Sequence, residues 1–272
     1  MPLLSANELE NTSVIFKGKT GHSIAELLIR LFNINKINNL YDRHRASSGP
    51  EFAADILHDI GTDNIVKDIA SSLESIQQGP FITISNHPCG HIDGISLIDI
   101  FGHIRPDYKL MVNGILSRIE NLNDNFISVI PLGNTRTSPT VTSIRGLKTA
   151  MQHVRNGHPL GIFPSGAVSD LKLWKGTIED REWQLPTLRF IRKARVPIVP
   201  VRFHDGNSTL YYSLGLISWK LRLLRLPSEV FNKKDKPFRI TIGNVITVEE
   251  QDVYGEDLNG FSKFLRSKVY DL

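Results

Sequence analysis

Cysteine is almost missing from this chain: Cys89 is the only one among 272 residues. A single thiol excludes an internal disulfide and any metal knot of four thiolates, so the fold rests on neither, and a reducing compartment suits it. Long apolar runs are missing too. No stretch approaches the roughly 18 consecutive apolar residues of a spanning helix, and the nearest candidates are broken by Arg, Lys or Asp. The opening "MPLLSANELENTS" turns polar almost at once, without the basic segment, apolar run and small-residue cleavage site of a secretory leader. Repeats, low-complexity tracts and Pro/Gly/Ser-rich linkers are likewise absent. These gaps together predict a soluble or peripheral cytoplasmic protein.

With 40% hydrophobic and 22% charged residues, the composition is that of an ordinary folded protein, here one large domain with a helical appendage. The formal charge of +4 is unevenly spread: residues 171–240 hold 15 Lys and Arg against 6 Asp and Glu, so the rest is net acidic. That region is a candidate for a polyanion or an anionic membrane surface, or simply a solvated basic face. Aromatic interleaving of the kind that stacks single-stranded bases is not evident, so nucleic acid is not expected as a partner.

Residues 1–80 read as an N-terminal helical region. Ser23 and Glu26 form a capping-box pattern ahead of Ile24, Leu27, Leu28, Leu31 and Phe32 at helical spacing. A second helix follows "SSGPE", with Pro50 in its first turn, Phe52, Ile56, Leu57 and Ile60 on one face and Gly61 beyond its end; a third is predicted over about 64–76. From 81 to 272 short apolar runs alternate with helical patterns, which predicts an α/β domain. The strand candidates are "FITIS" (81–85), "YKLMV" (108–112), "FISVI" (126–130), "LGIF" (160–163), "VPIVPV" (196–201) and "FRITIG" (238–243). "SIRGLKTAMQHVRNG" predicts an amphipathic helix ending at Gly157, with weaker helices over 187–195 and 257–268.

Just after the first of these strands, "SNHPCGHIDG" (85–94) sets His87, Cys89, His91 and Asp93 at every second position. On an extended chain they form a ladder of metal ligands, with His204 of "FHDG" as the distant partner, and a metal-dependent hydrolase follows from that reading. Pro88, Gly90 and the "DG" at 93–94 instead favour a bend that carries His87 towards Asp93, making His87 a general base with a carboxylate to fix its tautomer. A Gly-x-Ser-x-Gly nucleophile is missing, and Cys89 between two histidines is the single thiol candidate, or a packing residue.

The ordered blocks "SNHPCGHIDG", "VIPLGNTRT" (129–137), "GIFPSGAVSD" (161–170) and "VPIVPV" resemble the four motif blocks of the glycerophospholipid acyltransferase superfamily, over about residues 81–245. Five residues between His and Asp make the chain most similar to the hemolysin-related branch, whose acceptors are lyso-aminolipids such as lyso-ornithine or lyso-glycine lipids. The resemblance implies an α/β fold with a mixed twisted sheet flanked by helices. It implies an acyltransferase in which His87 deprotonates an acceptor hydroxyl and Asp93 orients His87. The hydroxyl then attacks the thioester of acyl carrier protein or acyl coenzyme A directly, with no cofactor or metal.

On the same resemblance Phe163, Pro164, Ser165 and Gly166 contact the acceptor, and Arg136, with Arg145 as competitor, meets its phosphate or other anionic group. The third block departs from the usual Phe-Pro-Glu-Gly-Thr-Arg-Ser: Ser165, Ala167 and Val168 replace the Glu, Thr and Arg. Loss of a carboxylate and a guanidinium argues against lysophosphatidic acid as acceptor, with Lys172, Lys175 or Arg202 as other sources of charge. "LGLISWKLRLLRLP" (214–227) mixes Leu, Ile and Trp219 with Lys220, Arg222 and Arg225 and no acid, which suits a basic interfacial segment on the inner face of the cell membrane, or a core helix. A non-catalytic binder of anionic lipid is the reading from a different class.

Overall fold

The computed structural model describes residues 17–272 apart from 32, 63, 69–73, 75, 115, 117, 118 and 130–140. Its centre is a seven-stranded mixed sheet in the order β1-β9-β8-β2-β5-β3-β4. The strands are β1 (Asn64–Asp68), β2 (Ile82–Ser85), β3 (Lys109–Asn113), β4 (Phe126–Val129), β5 (Leu160–Ile162), β8 (Ile198–Phe203) and β9 (Phe238–Ile242); β6 (Asp170–Lys172) and β7 (Thr177–Glu179) form a separate antiparallel hairpin. All neighbours in the large sheet run parallel except β8 and β9. Every strand candidate from "FITIS" to "FRITIG" is a strand, shifted by two residues at most.

Helices cover both faces. On one side α3 (Gly49–Asp59) and α4 (His91–Ile104) enclose Phe52, Ile56, Leu97, Phe101, Tyr108 and Phe238. On the other, α5 (Val141–Arg155), α6 (Leu185–Ala194) and α10 (Leu258–Tyr270) enclose Ile82, Ile84, Leu160, Leu188 and Phe261. Strand β2 faces both layers, because alternate residues point to opposite sides. Its Ile82 and Ile84 serve the second core, while Thr83 shares a 2.8 Å hydrogen bond with the Tyr108 hydroxyl in the first.

Three N-terminal expectations change. The first helix, α1 (Gly18–Leu31), starts five residues before Ser23, and a further helix, α2 (Ile34–Arg43), follows it. Ile24, Leu27 and Leu31 are exposed on α1, whereas Ala25 and Ile29 are buried, so the apolar stripe looks outward. The helix predicted over 64–76 is instead strand β1 where it begins, paired in parallel with β9 from the far end of the chain. Ile65 and Val66 are β-branched and suit an edge strand, and the partner that decides the matter is invisible to local periodicity.

One helix between the strands was not foreseen, and a second expected segment is divided. Helix α4 is buried at Ile92, Ser96, Leu97, Ile98, Phe101 and Gly102, nearly all round, so it lacks the polar stripe that marks a surface helix. The segment 214–227 divides at Ser218 into α7 (Thr209–Ile217) and α8 (Trp219–Glu229). The short α9 (Val248–Asp252) completes the chain's helices among the described residues.

Packing at the sheet centre is tight. A Cβ on Gly161 of β5 would overlap the Tyr108 hydroxyl and lie 2.6 Å from Leu110 Cδ1. Gly161→Ala should therefore lower unfolding free energy by about 1–3 kcal/mol, checked by urea denaturation, with activity retained in the fraction that folds.

Candidate active site

Strands β2 and β5 lie side by side and parallel, so the loops after their carboxyl ends, 86–90 and 163–169, share one crevice. Both motifs singled out in the sequence meet there. The bend "NHPCG" is held from every side. Asn86 exchanges two 2.8 Å hydrogen bonds with the main chain of Phe203 on β8. The Pro88 carbonyl accepts from the Tyr212 hydroxyl at 2.9 Å, and Asn207 Nδ2 reaches the carbonyls of Pro88 and Cys89. Gly90 has φ +80°, a conformation that costs other residues energy, and it lies against Leu226 and Val168.

Asp93 sits in the first turn of α4 with no exposed surface. Its Oδ2 accepts the main-chain N–H groups of Cys89 (2.8 Å) and Gly90 (2.9 Å), so one carboxylate caps the helix start and closes the bend. His87 Nδ1 lies 2.9 Å from the same oxygen. The ring N–H is not aligned for a hydrogen bond, and Asp93 Oδ1 is buried without a partner, so the contact is electrostatic in this state. Alignment of such pairs often tightens only when substrate binds. Phe163 stacks on the His87 ring, centroids 3.8 Å apart and planes 27° from parallel, which limits the ring's freedom to turn.

Sequence reasoning missed Asp180. It is buried and accepts His87 N–H at 3.1 Å, the Ser169 hydroxyl at 2.6 Å and Trp183 Nε1 at 3.3 Å. Ser169 N–H in turn donates to the His87 carbonyl at 2.8 Å, so the His87 residue is clamped through both of its main-chain polar groups. Burial pushes the Asp180 carboxyl up, opposed by these hydrogen bonds and by His87. Nothing in "TIEDREW" signals the role, because His87 lies 93 residues away in sequence.

The ladder of four does not converge. Cys89 is buried with its Sγ donating to the Asp205 carbonyl at 3.2 Å, and burial raises its thiol well above the ordinary value, which suits packing rather than nucleophilic work. His91 opens α4, and burial, followed by repulsion from His87, lowers its pKa to about 4. His204 bonds Thr241 Oγ1 at 2.8 Å instead of joining the bend. Among the described residues no three His, Cys, Asp or Glu side chains are grouped to hold a metal ion.

His87 and His91 open into a cavity of about 480 Å³. Its lining is apolar at Ile95, Leu110, Leu116, Ile119, Leu122 and Phe126, and also includes Arg181, Gln184, Arg222, Trp219 and Leu223. Phe163 and Gly166 line it, whereas Pro164 and Ser165 are buried and build the turn beneath. Ser165 Oγ donates to the Ala167 carbonyl at 2.8 Å, and Gln184 Nε2 packs over Gly166 while donating to the Ser165 carbonyl at 3.1 Å. Arg136 lies outside the described residues, Arg145 is exposed on α5, and neither Lys172, Lys175 nor Arg202 lines the cavity.

Helix α8 does not turn Arg222 and Arg225 outward, as the basic interfacial reading of 214–227 expected. Arg222 is buried against Asp170, and Arg225 Nε bonds the buried Glu229 at 3.1 Å. Exposed instead are Leu216, Ile217 (77%), Trp219 (62%), Leu221 and Leu223. Trp219 and Leu223 also line the cavity, so its rim is apolar.

An α/β sheet with a His/Asp pair at the carboxyl end of its central strand defines an enzyme crevice. The chain matches the acyltransferase family over residues 34–272; it belongs to that family and is an acyltransferase. Two similar proteins are named lyso-glycine lipid O-acyltransferases. That of Bacteroides thetaiotaomicron is 24% identical over 230 residues, 82% of this chain and 80% of that protein. That of Phocaeicola vulgatus is 26% identical over 204 residues, 72% and 69% of the two chains. The crystal structure of the 1-acyl-sn-glycerophosphate acyltransferase from Thermotoga maritima superposes with a TM-score of 0.47 at 14% identity, covering 81% of this chain and 79% of that one. The acyltransferase resemblance read from the four motif blocks holds, and both of these relatives are named for a lyso-aminolipid acceptor of the kind it pointed to.

Two measurements check the site's construction. Asp180→Ala strands three buried donors and should cost about 3 kcal/mol in chemical unfolding; Asp180→Asn, which keeps one acceptor oxygen, should cost less. The neutral His91 ring, with a folded value near 4 against an ordinary 6.5, stabilises the protein above pH 6.5 and loses that contribution as pH falls towards 4. His91→Gln should flatten the fall of denaturation midpoint between those two values.

Proposed function

We propose that the chain moves a fatty acyl group from a thioester, of acyl carrier protein or coenzyme A, to the hydroxyl of a lysolipid, a lyso-aminolipid before a lysophospholipid. The observation that carries this reading is the His87–Asp93 pair: a 2.9 Å contact to a fully buried carboxylate, with His87 opening on a cavity lined by apolar side chains and by Arg181 and Arg222. The names of the two similar proteins support the class of acceptor.

With Nδ1 turned to Asp93, Nε2 of His87 is left to take the proton from the acceptor hydroxyl as its oxygen attacks the thioester carbonyl. The tetrahedral intermediate collapses with cleavage of the carbon–sulfur bond, and the thiolate leaves with the proton returned from His87. Asp93 holds the imidazole tautomer and stabilises the imidazolium. The reaction needs no acyl-enzyme, metal or cofactor. The apolar part of the lining has the character to hold an acyl chain. Phe163 and Gly166 face the acceptor, Pro164 and Ser165 act through the turn they build, and Arg136 meets an anionic group.

The acceptor comes from a membrane, and the exposed apolar residues of α7 and α8 beside the cavity mouth suit contact with its inner face. Among the described residues no helix is long and apolar enough to cross a bilayer. Contact of this kind leans more on apolar insertion than on charge, since Arg222 and Arg225 are spent inside the fold.

Purified protein offered both thioester donors and a panel of lysolipids should yield a diacylated product, and His87→Ala should abolish it. Asp93→Asn should lower kcat by about 10³ to 10⁴ with the fold intact. Full activity of His87→Ala would overturn the mechanism.

A further inference from the structure

Two guanidiniums in the cavity lining, Arg181 and Arg222, share one carboxylate. Asp170, at the start of β6, receives Arg181 Nε on Oδ2 at 2.6 Å and Arg222 Nη1 on Oδ1. Two positive charges thus share one negative, leaving this trio net positive. Burial pushes the Asp170 carboxyl up, but its two arginines outweigh that and hold it below the ordinary value.

The two arginines are differently employed. Arg222 is buried, lies 5.4 Å over the Tyr211 ring, and also donates to the carbonyls of Ser169 (3.3 Å) and Val168 (3.2 Å), which makes it a strut. Arg181 is two-fifths exposed and gives only Nε to Asp170. Its Nη1 and Nη2 have no hydrogen-bond partner among the described residues, and the side chain lines the cavity. A guanidinium fixed through Nε, with its Nη1/Nη2 edge open, offers the paired N–H groups that a carboxylate or phosphate accepts side by side. Its backbone is also fixed: the Arg181 carbonyl accepts Arg266 Nη1, and the preceding residue, Asp180, binds His87 N–H. The open edge therefore stands one residue from the group that positions the base.

We propose that the Nη1/Nη2 edge of Arg181 grips the oxyanion of the acceptor's head group, a carboxylate or a phosphate, while its hydroxyl lies at His87. The assignment rests on the acyl-transfer reading above. It also bears on the third motif block: where the superfamily has an Arg, this chain has Val168, whose carbonyl accepts from Arg222, and Arg222 shares Asp170 with Arg181.

Binding tests it independently of turnover. The full chain would be titrated, by tryptophan fluorescence, with N-dodecanoylglycine, its methyl ester and a lysophosphatidate of the same acyl length, as wild type and as Arg181→Leu. The expected result is a rise in Kd of about tenfold or more for the carboxylate ligand, the phosphate ligand or both, with the ester within about twofold. The ester also reports that the variant is folded, and the affected ligand names the oxyanion. Equal losses for all three ligands, or no loss for either charged one, would overturn the proposal. Absence of acyl transfer by the wild type would sink the enzymatic reading instead, and leave the binding comparison to judge Arg181.

Discussion

A carboxylate without exposed surface organises the active end of this molecule. Burying Asp93 alone would cost several kcal/mol, so its place is tenable only because Cys89 and Gly90 turn their N–H groups onto it at the start of α4 and His87 stands beside it. Each partner imposes a condition. The two N–H groups converge only through a bend with Gly90 at positive φ, and that bend must leave β2 at the middle of the sheet. The same oxygen that closes the bend thus sets where the imidazole stands.

Around that centre the protein divides its labour between neighbours. Asp180 and Ser169 fix the His87 main chain, Phe163 covers its ring, and Tyr212 and Asn207 hold Pro88 and Cys89 from behind. The hairpin of β6 and β7 brings Ser169 and Asp180 together, although each strand is only three residues long. The turn 163–166 is supported by Gln184 ahead of α6, so one segment, 169–184, serves both loops of the crevice.

The strands were readable because apolar runs such as "FITIS" and "FRITIG" stand between turn signals, and a strand buried on both faces needs no finer pattern. Helix α5 was readable for the opposite reason, since Ala150 and Val154 face the core while Arg145 and Lys148 face water. Helix α4 hid behind its own uniformity, buried almost all round, and β1 behind a partner at the other end of the chain. Spacing marked an apolar stripe on α1 and composition a basic segment over α8, but neither carries a direction. Leu27 and Trp219 point outward and Arg222 inward because Asp170 and Tyr211 offer that guanidinium more than water does.

By itself, then, the sequence pointed to the His87–Asp93 pair and to the acyltransferase family. A His and an Asp separated by a short spacer containing Pro88 and Gly90, just after an apolar run, have few ways to lie other than a bend at a strand's end. It also determined the sheet, since burial of those runs leaves few alternatives. Only the tertiary structure decided which groups assist: Asp180 beneath His87, Arg181 open to the cavity, Pro164 and Ser165 turned away from it. These roles depend on contacts between residues distant along the chain, and a local pattern of spacing and polarity holds no record of which distant side chain will arrive.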